Sequence, residues 1–302
     1  MAKIMANSAG AYATLLQEVN QHHRLRKPLY QRVETALAGF KIVALFTSFT
    51  HPVILNDGDA DMLEEVLSNT SFNGKRLALV LNSPGGEGLA AERIVNLCRT
   101  YSNNDFIVVV PKAAKSAATI VCLGAREVVM SATSELGPID PQILISDEQG
   151  RSVRYQAAHE ILESYAELMR SANKTKGRIE PFLQQLARYD ARDVQGIKSA
   201  QSLSEAIAIN LLKTGIFSKL SRSQIKAKIR PLTDPHLTID HGRPLFPSAL
   251  AKCGLNIRVI ANSDPLWRSI RELYIRLSHL TDGDYPKVIE SEDESYYAPM
   301  PS

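Results

Sequence analysis

The chain has 302 residues, of which 44% are hydrophobic and 22% charged, a composition that predicts a soluble globular protein with one main domain and helical additions. Its 35 basic and 32 acidic residues give a net charge of +3 without long blocks of like charge, which argues against a nucleic-acid or anionic membrane partner. The three cysteines show no CxxC spacing, so neither a disulfide framework, a metal site nor a cofactor is expected.

The first half of the chain alternates between two kinds of sequence pattern. Helical periodicity predicts helices within residues 11–40 that end near Gly39. Four short runs are rich in β-branched residues and apolar nearly throughout, as is typical of strands buried on both faces of a parallel sheet: residues 41–49, 76–82, 106–110 and 127–130. Helical stretches lie between these runs at 59–69, at 88–101 and after Ser116. The alternation predicts an α/β fold with right-handed crossovers.

Beyond residue 150 the pattern becomes mostly helical, with one further short strand predicted at residues 256–260. The predicted organisation is an N-terminal helical arm (1–40), a main domain (41–260) with a helical insertion at about 155–230, and a C-terminal helix with an acidic mobile tail (261–302). The apolar runs are too short to span a membrane, and the N-terminus lacks the apolar core of a signal peptide. The sequence therefore predicts a cytoplasmic protein.

The stretch AAKSAATIVCLGA (113–125) places a single serine at the start of an apolar helical run. Ser116 has two interpretations. Serine is a common helix N-cap, because its hydroxyl accepts hydrogen bonds from the first backbone N–H groups. Alternatively, Ser116 is a nucleophile at the positive end of a helix, and the small side chains of Ala117 and Ala118 leave room for a carbonyl to approach.

Two other loops follow predicted strands. The segment SPGGEG (83–88) places Gly85 and Gly86 between a strand and a helix, where uncovered backbone N–H groups can bind an anion. The segment lacks the GxGxxG and GxxxxGK[ST] patterns, which argues against a nucleotide-binding loop. A rigid turn, GPIDP (137–141), carries Asp140. Taken alone, that turn is more simply a structural loop.

Taken together, these three segments resemble the ClpP/crotonase superfamily. Within it, the stretch PKAAKSAATIVCLGAREVVMSATSELGPIDPQI (111–143) is similar to the serine dehydrogenase proteinase family, whose relatives include signal peptide peptidase A. The resemblance implies a ClpP/crotonase-like core of repeated ββα and βαβ units with a largely parallel sheet. It also implies a serine peptidase in which Ser116 is the nucleophile and the N–H groups of Gly85, Gly86 and Ala117 form the oxyanion hole.

The resemblance leaves the general base open. The histidine of ClpP-type enzymes falls roughly where this chain has Asp140, which therefore has at most a supporting role, whereas relatives of signal peptide peptidase A use a lysine. Lys174 is the predicted base, with Lys115 and Lys176 as alternatives. A lysine base must lose its charge near neutral pH, which needs roughly 4 kcal/mol of desolvation or repulsion.

The predicted substrates are proteins or peptides in extended form, and the resemblance implies a homo-oligomer. Whether an unfoldase or adaptor protein assists is left open. Two other functions compete with this interpretation. The chain could be a catalytically inactive scaffold or partner-binding protein that keeps the fold without the base, or a crotonase-type acyl-CoA enzyme. The Lys-Ser-Ala-Ala-Thr sequence at 115–119 argues against the latter.

Overall fold

The computed structural model describes residues 23–146, 153–234, 237 and 242–298. Within these ranges the chain divides into two compact units, one comprising the residues up to Leu136 and from Leu245 onward, the other Gly137–Pro244. The domain boundaries predicted near residues 40 and 260 remain predictions. No helix among the described residues is both long and apolar enough to cross a membrane.

The elements of the larger unit alternate between strand and helix up to residue 136. In chain order they are α1 (His23–Ala36), β1 (Phe40–Thr47), α2 (Asp57–Asn69), β2 (Arg76–Asn82), α3 (Gly88–Tyr101), β3 (Phe106–Val110), β4 (Ala113–Ala114), α4 (Ala117–Gly124), β5 (Glu127–Met130) and β6 (Glu135–Leu136). All four strands predicted in this region are confirmed.

In the described residues of the Gly137–Pro244 unit, a β-hairpin is followed by helices. Its elements are β7 (Gln142–Ser146), β8 (Val153–Ala157), α5 (Ala158–Lys174), α6 (Glu180–Leu186), α7 (Ala191–Lys213), α8 (Arg222–Lys228) and α9 (Arg230–Thr233). Strands β7 and β8 pair with each other in an antiparallel hairpin. The helical character predicted beyond residue 150 is confirmed.

The chain then returns to the larger unit with α10 (Pro247–Lys252), β9 (Ile257–Val259), α11 (Pro265–Asp282), β10 (Lys287–Ser291) and β11 (Ser295–Ala298). The main sheet has seven strands in the order β11-β10-β1-β2-β3-β5-β9. From β1 to β9 all neighbouring strands are parallel, whereas β10 and β11 add an antiparallel edge. The predicted α/β fold with a mostly parallel sheet is confirmed.

Both faces of the central strands are buried, as their nearly unbroken apolar sequences require. One face packs on α1 and α11, where Tyr30, Val33, Trp267 and Ile270 form a core cluster with alternate strand residues. The intervening strand residues, Val43, Leu79 and Val108 among them, are equally inaccessible. The carboxyl ends of parallel strands lie at one edge of the sheet, and the loops after β2 and β3 carry the glycine turn and Ser116 to that edge.

The prediction of a mobile acidic tail is wrong for residues 287–298, which form β10 and β11. Glu290 on β10 is fully buried, where it accepts two hydrogen bonds from Arg26, at 2.8 and 2.6 Å, and one from Tyr30 at 2.9 Å. Lys287 is also buried and contacts Asp59 at 2.7 Å. Residues 1–22 of the predicted N-terminal arm and residues 299–302 lie outside the described residues.

Candidate active site

Ser116 lies in a sharp turn between β4 and α4, and its backbone is strained. Its φ of 48° and ψ of −118° are values that residues with a side chain rarely adopt, at a cost of about 1–3 kcal/mol. A capping serine has extended dihedral angles and accepts a hydrogen bond from the first helical turn. Ser116 does neither. Its half-buried hydroxyl makes no hydrogen bond to any residue that the structure describes, so the geometry favours a presented nucleophile over a helix cap.

Backbone contacts hold this turn on both sides. Before the serine, the N–H of Lys115 donates to the carbonyl of Ser83 at 3.0 Å, which joins the turn to the end of β2. After it, the N–H of Ala118 donates to the carbonyl of Lys115 at 2.9 Å. The buried Thr119 hydroxyl donates to the carbonyl of Ala114 at 2.8 Å. The strained conformation is therefore fixed by its surroundings.

Gly85 packs directly against Ser116. A Cβ atom at position 85 would lie 2.7 Å from the Ser116 Cβ, 2.5 Å from the Lys115 carbonyl oxygen and 3.0 Å from the Ala117 nitrogen. The backbone also has a φ of 102°, which favours glycine. Only a residue without a side chain allows the two loops to approach this closely.

Gly86 is fixed by the loop that follows β1. It forms a parallel bridge with Leu55, in which the N–H of Leu55 donates to the carbonyl of Gly85 and the N–H of Glu87 donates to the carbonyl of Leu55, both at 2.8 Å. A Cβ at Gly86 would lie 2.1 Å from that Leu55 oxygen. Because the flanking residues supply both bonds of the bridge, it leaves the N–H of Gly86 unused.

The predicted oxyanion-hole residues therefore differ in their N–H groups. The N–H of Gly85 donates to the Ser83 hydroxyl at 3.1 Å, so Gly85 provides the close approach rather than a free donor. The N–H groups of Gly86 and Ala117 make no hydrogen bond within the described part of the chain. Ala117 is the first residue of α4, where the backbone N–H has no partner in the helix.

Two of the predicted lysine bases lie at or just beyond the end of α5. Lys174 is the last residue of that helix, Lys176 follows it, and both side chains are exposed. Burial therefore supplies none of the desolvation that a lysine base requires. Lys115 is adjacent to Ser116, but its Nζ lies 2.6 Å from the Glu135 carboxylate. That contact stabilises the charged ammonium, which is the opposite of what a base needs.

The Gly137–Pro244 unit contains a histidine–carboxylate pair that sequence analysis missed. His159, the second residue of α5, places its Nδ1 3.3 Å from Asp140 Oδ2. Asp140 is only 4% exposed, and the N–H of Ala158 donates to the carbonyl of Pro141 at 2.9 Å, which fixes the start of α5 beside the rigid turn. A buried carboxylate that orients one imidazole nitrogen leaves the other free for proton transfer. Asp140 is therefore buried beside a histidine, and its supporting role stays a prediction.

No sequence motif marks His159, because its partner lies 19 residues earlier in the chain. The available signal was weak: a lone histidine at the start of a helix, shortly after an aspartate in a proline-bounded turn.

Comparison with known proteins shows what this part of the chain is similar to. Residues 59–205, which include Ser116, Asp140 and His159, match the ClpP-like SDH-type serine proteinases. This stretch of the chain is therefore similar to that family. The resemblance predicted from residues 111–143 is thereby confirmed, and with it the ClpP-like fold class.

Two curated relatives are uncharacterized proteins of Methanocaldococcus jannaschii. One is 26% identical over 223 residues, which is 74% of this chain and 61% of the relative. The other is 27% identical over 135 residues, 44% of this chain and 46% of the relative. The chain thus spans about half of the length of these relatives. Among solved structures, a serine-to-alanine mutant of the 1510-N membrane-bound stomatin-specific protease is similar at 17% identity over 47% of this chain and 68% of that one, with a TM-score of 0.31.

Proposed function

We propose that the protein is a serine peptidase with Ser116 as its nucleophile. The observation that carries the proposal is the strained, unbonded Ser116 at the start of α4, packed against Gly85. Strained backbone of this kind is retained where function requires it. The family match to serine proteinases supports the same conclusion.

The proposed reaction proceeds through an acyl-enzyme. The Ser116 oxygen attacks the peptide carbonyl while a base takes its proton, and the oxyanion accepts hydrogen bonds from the N–H groups of Gly86 and Ala117. The tetrahedral intermediate then expels the amine, which receives the proton from the protonated base. Water hydrolyses the remaining ester and regenerates the serine. Each oxyanion donor is worth about 3 kcal/mol of barrier.

The candidates for the proton acceptor, Lys174 and His159, are compared by the exposure of each side chain and by the groups that contact it. The sequence favours Lys174 as the base, but its exposed ammonium has no visible means of losing its charge. His159 has its Nδ1 oriented by the buried Asp140 carboxylate, an arrangement in which an imidazole can serve as a general base. His159 is therefore a candidate base beside the predicted Lys174, and the labelling rates of variants at each position decide between them. Lys174→Met and His159→Asn each serve as the control for the other.

Labelling with a small fluorophosphonate, followed by mass spectrometry, tests the proposal. The wild-type protein is expected to form one adduct at Ser116, whereas Ser116→Ala forms none and the exposed control Ser68→Ala labels at the wild-type rate. A fall of about 100-fold or more in only one of His159→Asn and Lys174→Met identifies that residue as the base. Absence of an adduct in the wild-type protein across pH 7 to 9 would favour an inactive scaffold.

We further propose that the substrates are proteins or peptides in extended form and that the protein acts as a cytoplasmic homo-oligomer. The similarity to the ClpP-like serine proteinases supports the substrate class and the oligomeric state. Light scattering of the purified protein tests the oligomeric state, and a monomer that labels fully would contradict it. Hydrolysis of unfolded casein, compared with an acyl-CoA thioester, tests the substrate class.

A further inference from the structure

The side chain next to the nucleophile takes part in an ion pair that the proposed mechanism does not use. Lys115 Nζ lies 2.6 Å from Glu135 Oε1 and 3.5 Å from the carbonyl oxygen of Leu136. The two side chains are mostly shielded from solvent, with 12% of Lys115 and 27% of Glu135 exposed. Because screening by water is limited at such a site, the pair is stronger than an ordinary surface salt bridge.

Glu135 belongs to a strand that is fixed on both sides. On one side β6 pairs with β4, and the N–H of Glu135 donates to the carbonyl of Lys112 at 2.9 Å. On the other side, Leu136 exchanges two hydrogen bonds with Leu245, at 3.0 and 2.9 Å. The carboxylate is therefore an immobile anchor for the lysine.

Lys115 directly precedes Ser116, so its ion pair anchors the start of the strained turn. A serine with φ of 48° and ψ of −118° keeps this conformation only while its neighbours prevent relaxation toward an ordinary helix start. Main-chain bonds hold Lys115 to Ser83 and to Ala118. The ion pair adds a side-chain tether at the same residue, across to β6.

We propose that Lys115 and Glu135 are positioning residues that hold the Ser116 backbone in its reactive conformation. This inference rests on the proposed function and deepens it. It also assigns a role to the lysine of the Lys-Ser pair that sequence analysis could interpret only as an alternative base. A charged, anchored ammonium orients the turn, whereas a base would have to be neutral.

The two roles predict opposite responses to the same substitutions. If Lys115 positions Ser116, Lys115→Arg keeps the charge and the tether and retains activity within a few fold, while Glu135→Gln lowers it. If Lys115 is the base, Lys115→Arg is inactive because arginine does not deprotonate. Glu135→Gln would then raise activity near neutral pH, because it removes the carboxylate that stabilises the ammonium.

The experiment measures the fluorophosphonate labelling rate of Ser116 and the kcat and KM for a peptide substrate, on full-length protein below the onset of thermal unfolding. Lys115→Met and Glu135→Gln are each expected to lower the labelling rate and kcat by about 10- to 100-fold with KM within about twofold. The double variant should lose no more than either single variant, because both remove one interaction. The exposed neighbour Lys112→Met is the matched control and should match the wild type.

The pH profile of the labelling rate distinguishes a positioning role of Lys115 from a role as the base. Removing a positioning residue lowers the rate at every pH and leaves the pH values at which the rate rises and falls unchanged. Wild-type rates in Lys115→Met and Glu135→Gln would overturn the inference and leave the proposed function intact. An inactive Lys115→Arg beside an active Glu135→Gln would overturn it in favour of a lysine base. A wild-type protein that never labels would overturn the proposed function and this inference with it. If Lys115→Met does not fold, Lys115→Arg and Glu135→Gln decide the question.

Discussion

Replacing Gly85 by alanine tests whether the contact between the glycine turn and the serine turn creates the site. The new Cβ would lie 2.5 Å from the Lys115 carbonyl oxygen, whereas unbonded carbon and oxygen atoms approach to about 3.3 Å. The two loops must therefore separate by about 0.8 Å. The obstructing atoms belong to the backbone, so no side-chain rotation can relieve the contact.

Both activity and stability are expected to fall. Displacing catalytic groups by about 1 Å costs roughly 100-fold in rate, and loss of an oxyanion donor costs about 100- to 1000-fold. The fluorophosphonate labelling rate of Gly85→Ala should thus fall at least about 100-fold. Overpacking and the φ of 102° should together lower the free energy of unfolding by about 3 kcal/mol.

Two control glycines separate the effect of the positive φ from the effect of the close contact. Gly74 has a φ of 77° but nothing within 4 Å of an added Cβ, so Gly74→Ala should cost about 1 kcal/mol of stability and leave labelling unchanged. Gly196, in the middle of α7, also has open space, and Gly196→Ala should add up to about 1 kcal/mol. Urea denaturation gives the stabilities. Wild-type labelling by Gly85→Ala would refute the reasoning that close approach at this glycine shapes the site.

Three further predictions concern the buried threonine beside the site, a buried lysine on β1 and two buried thiols. Thr119→Val removes the buried hydroxyl that bonds the Ala114 carbonyl; urea denaturation should show a loss of about 1–2 kcal/mol with slower labelling, and unchanged labelling would contradict the bracing role. Burial lowers the pKa of Lys41, but hydrogen bonding to Glu292 and nearby carboxylates outweigh it and raise the pKa above 10.5. The stabilising contribution of Lys41 is therefore complete below pH 10.5 and lost as the pH rises through the folded-state pKa. Above pH 10.5 the free energy of unfolding should fall more steeply with pH in the wild type than in Lys41→Met. Equal dependence on pH in urea denaturation of the two proteins would contradict this. Burial raises the pKa of the Cys98 thiol to about 12 and that of Cys122 further, so iodoacetamide should modify neither thiol in the native protein at about pH 8 and both after unfolding in urea, as read by mass spectrometry.

The central sheet could be predicted because burial on both faces leaves a pattern in a short stretch of sequence. Residues 76–82 and 106–110 are apolar at nearly every position, and the observed strands have those bounds. The C-terminal strands could not be predicted in the same way. Lys287 and Glu290 suggest a solvated segment, but each charge is neutralised by a residue more than 200 positions earlier. A local pattern contains no information about such pairs.

The candidate site likewise contains residues that a local sequence pattern marks and residues that only the fold brings together. The serine, the glycines and the turn that carries Asp140 are contiguous motifs, and the sequence identifies them. The contact of Asp140 with His159 and the ion pair of Lys115 depend on which elements the fold brings together, so the sequence alone did not reveal them, and the predicted lysine base stays a prediction. A side chain whose role depends on a contact with a residue distant in the sequence cannot be identified before the fold is known.

The strain at Ser116 connects these observations. A helix start needs no left-handed serine, because ordinary extended dihedral angles at the cap would release about 1–3 kcal/mol. The chain instead retains the strain and surrounds it with a glycine that no side chain could replace, a buried threonine hydroxyl and an anchored lysine. Packing alone would not require any of these arrangements at a helix start. In the proposed reaction the Ser116 hydroxyl meets a carbonyl beside the N–H groups of Gly86 and Ala117, and all three arrangements hold it in place for that step, which is why we favour catalysis over a structural cap.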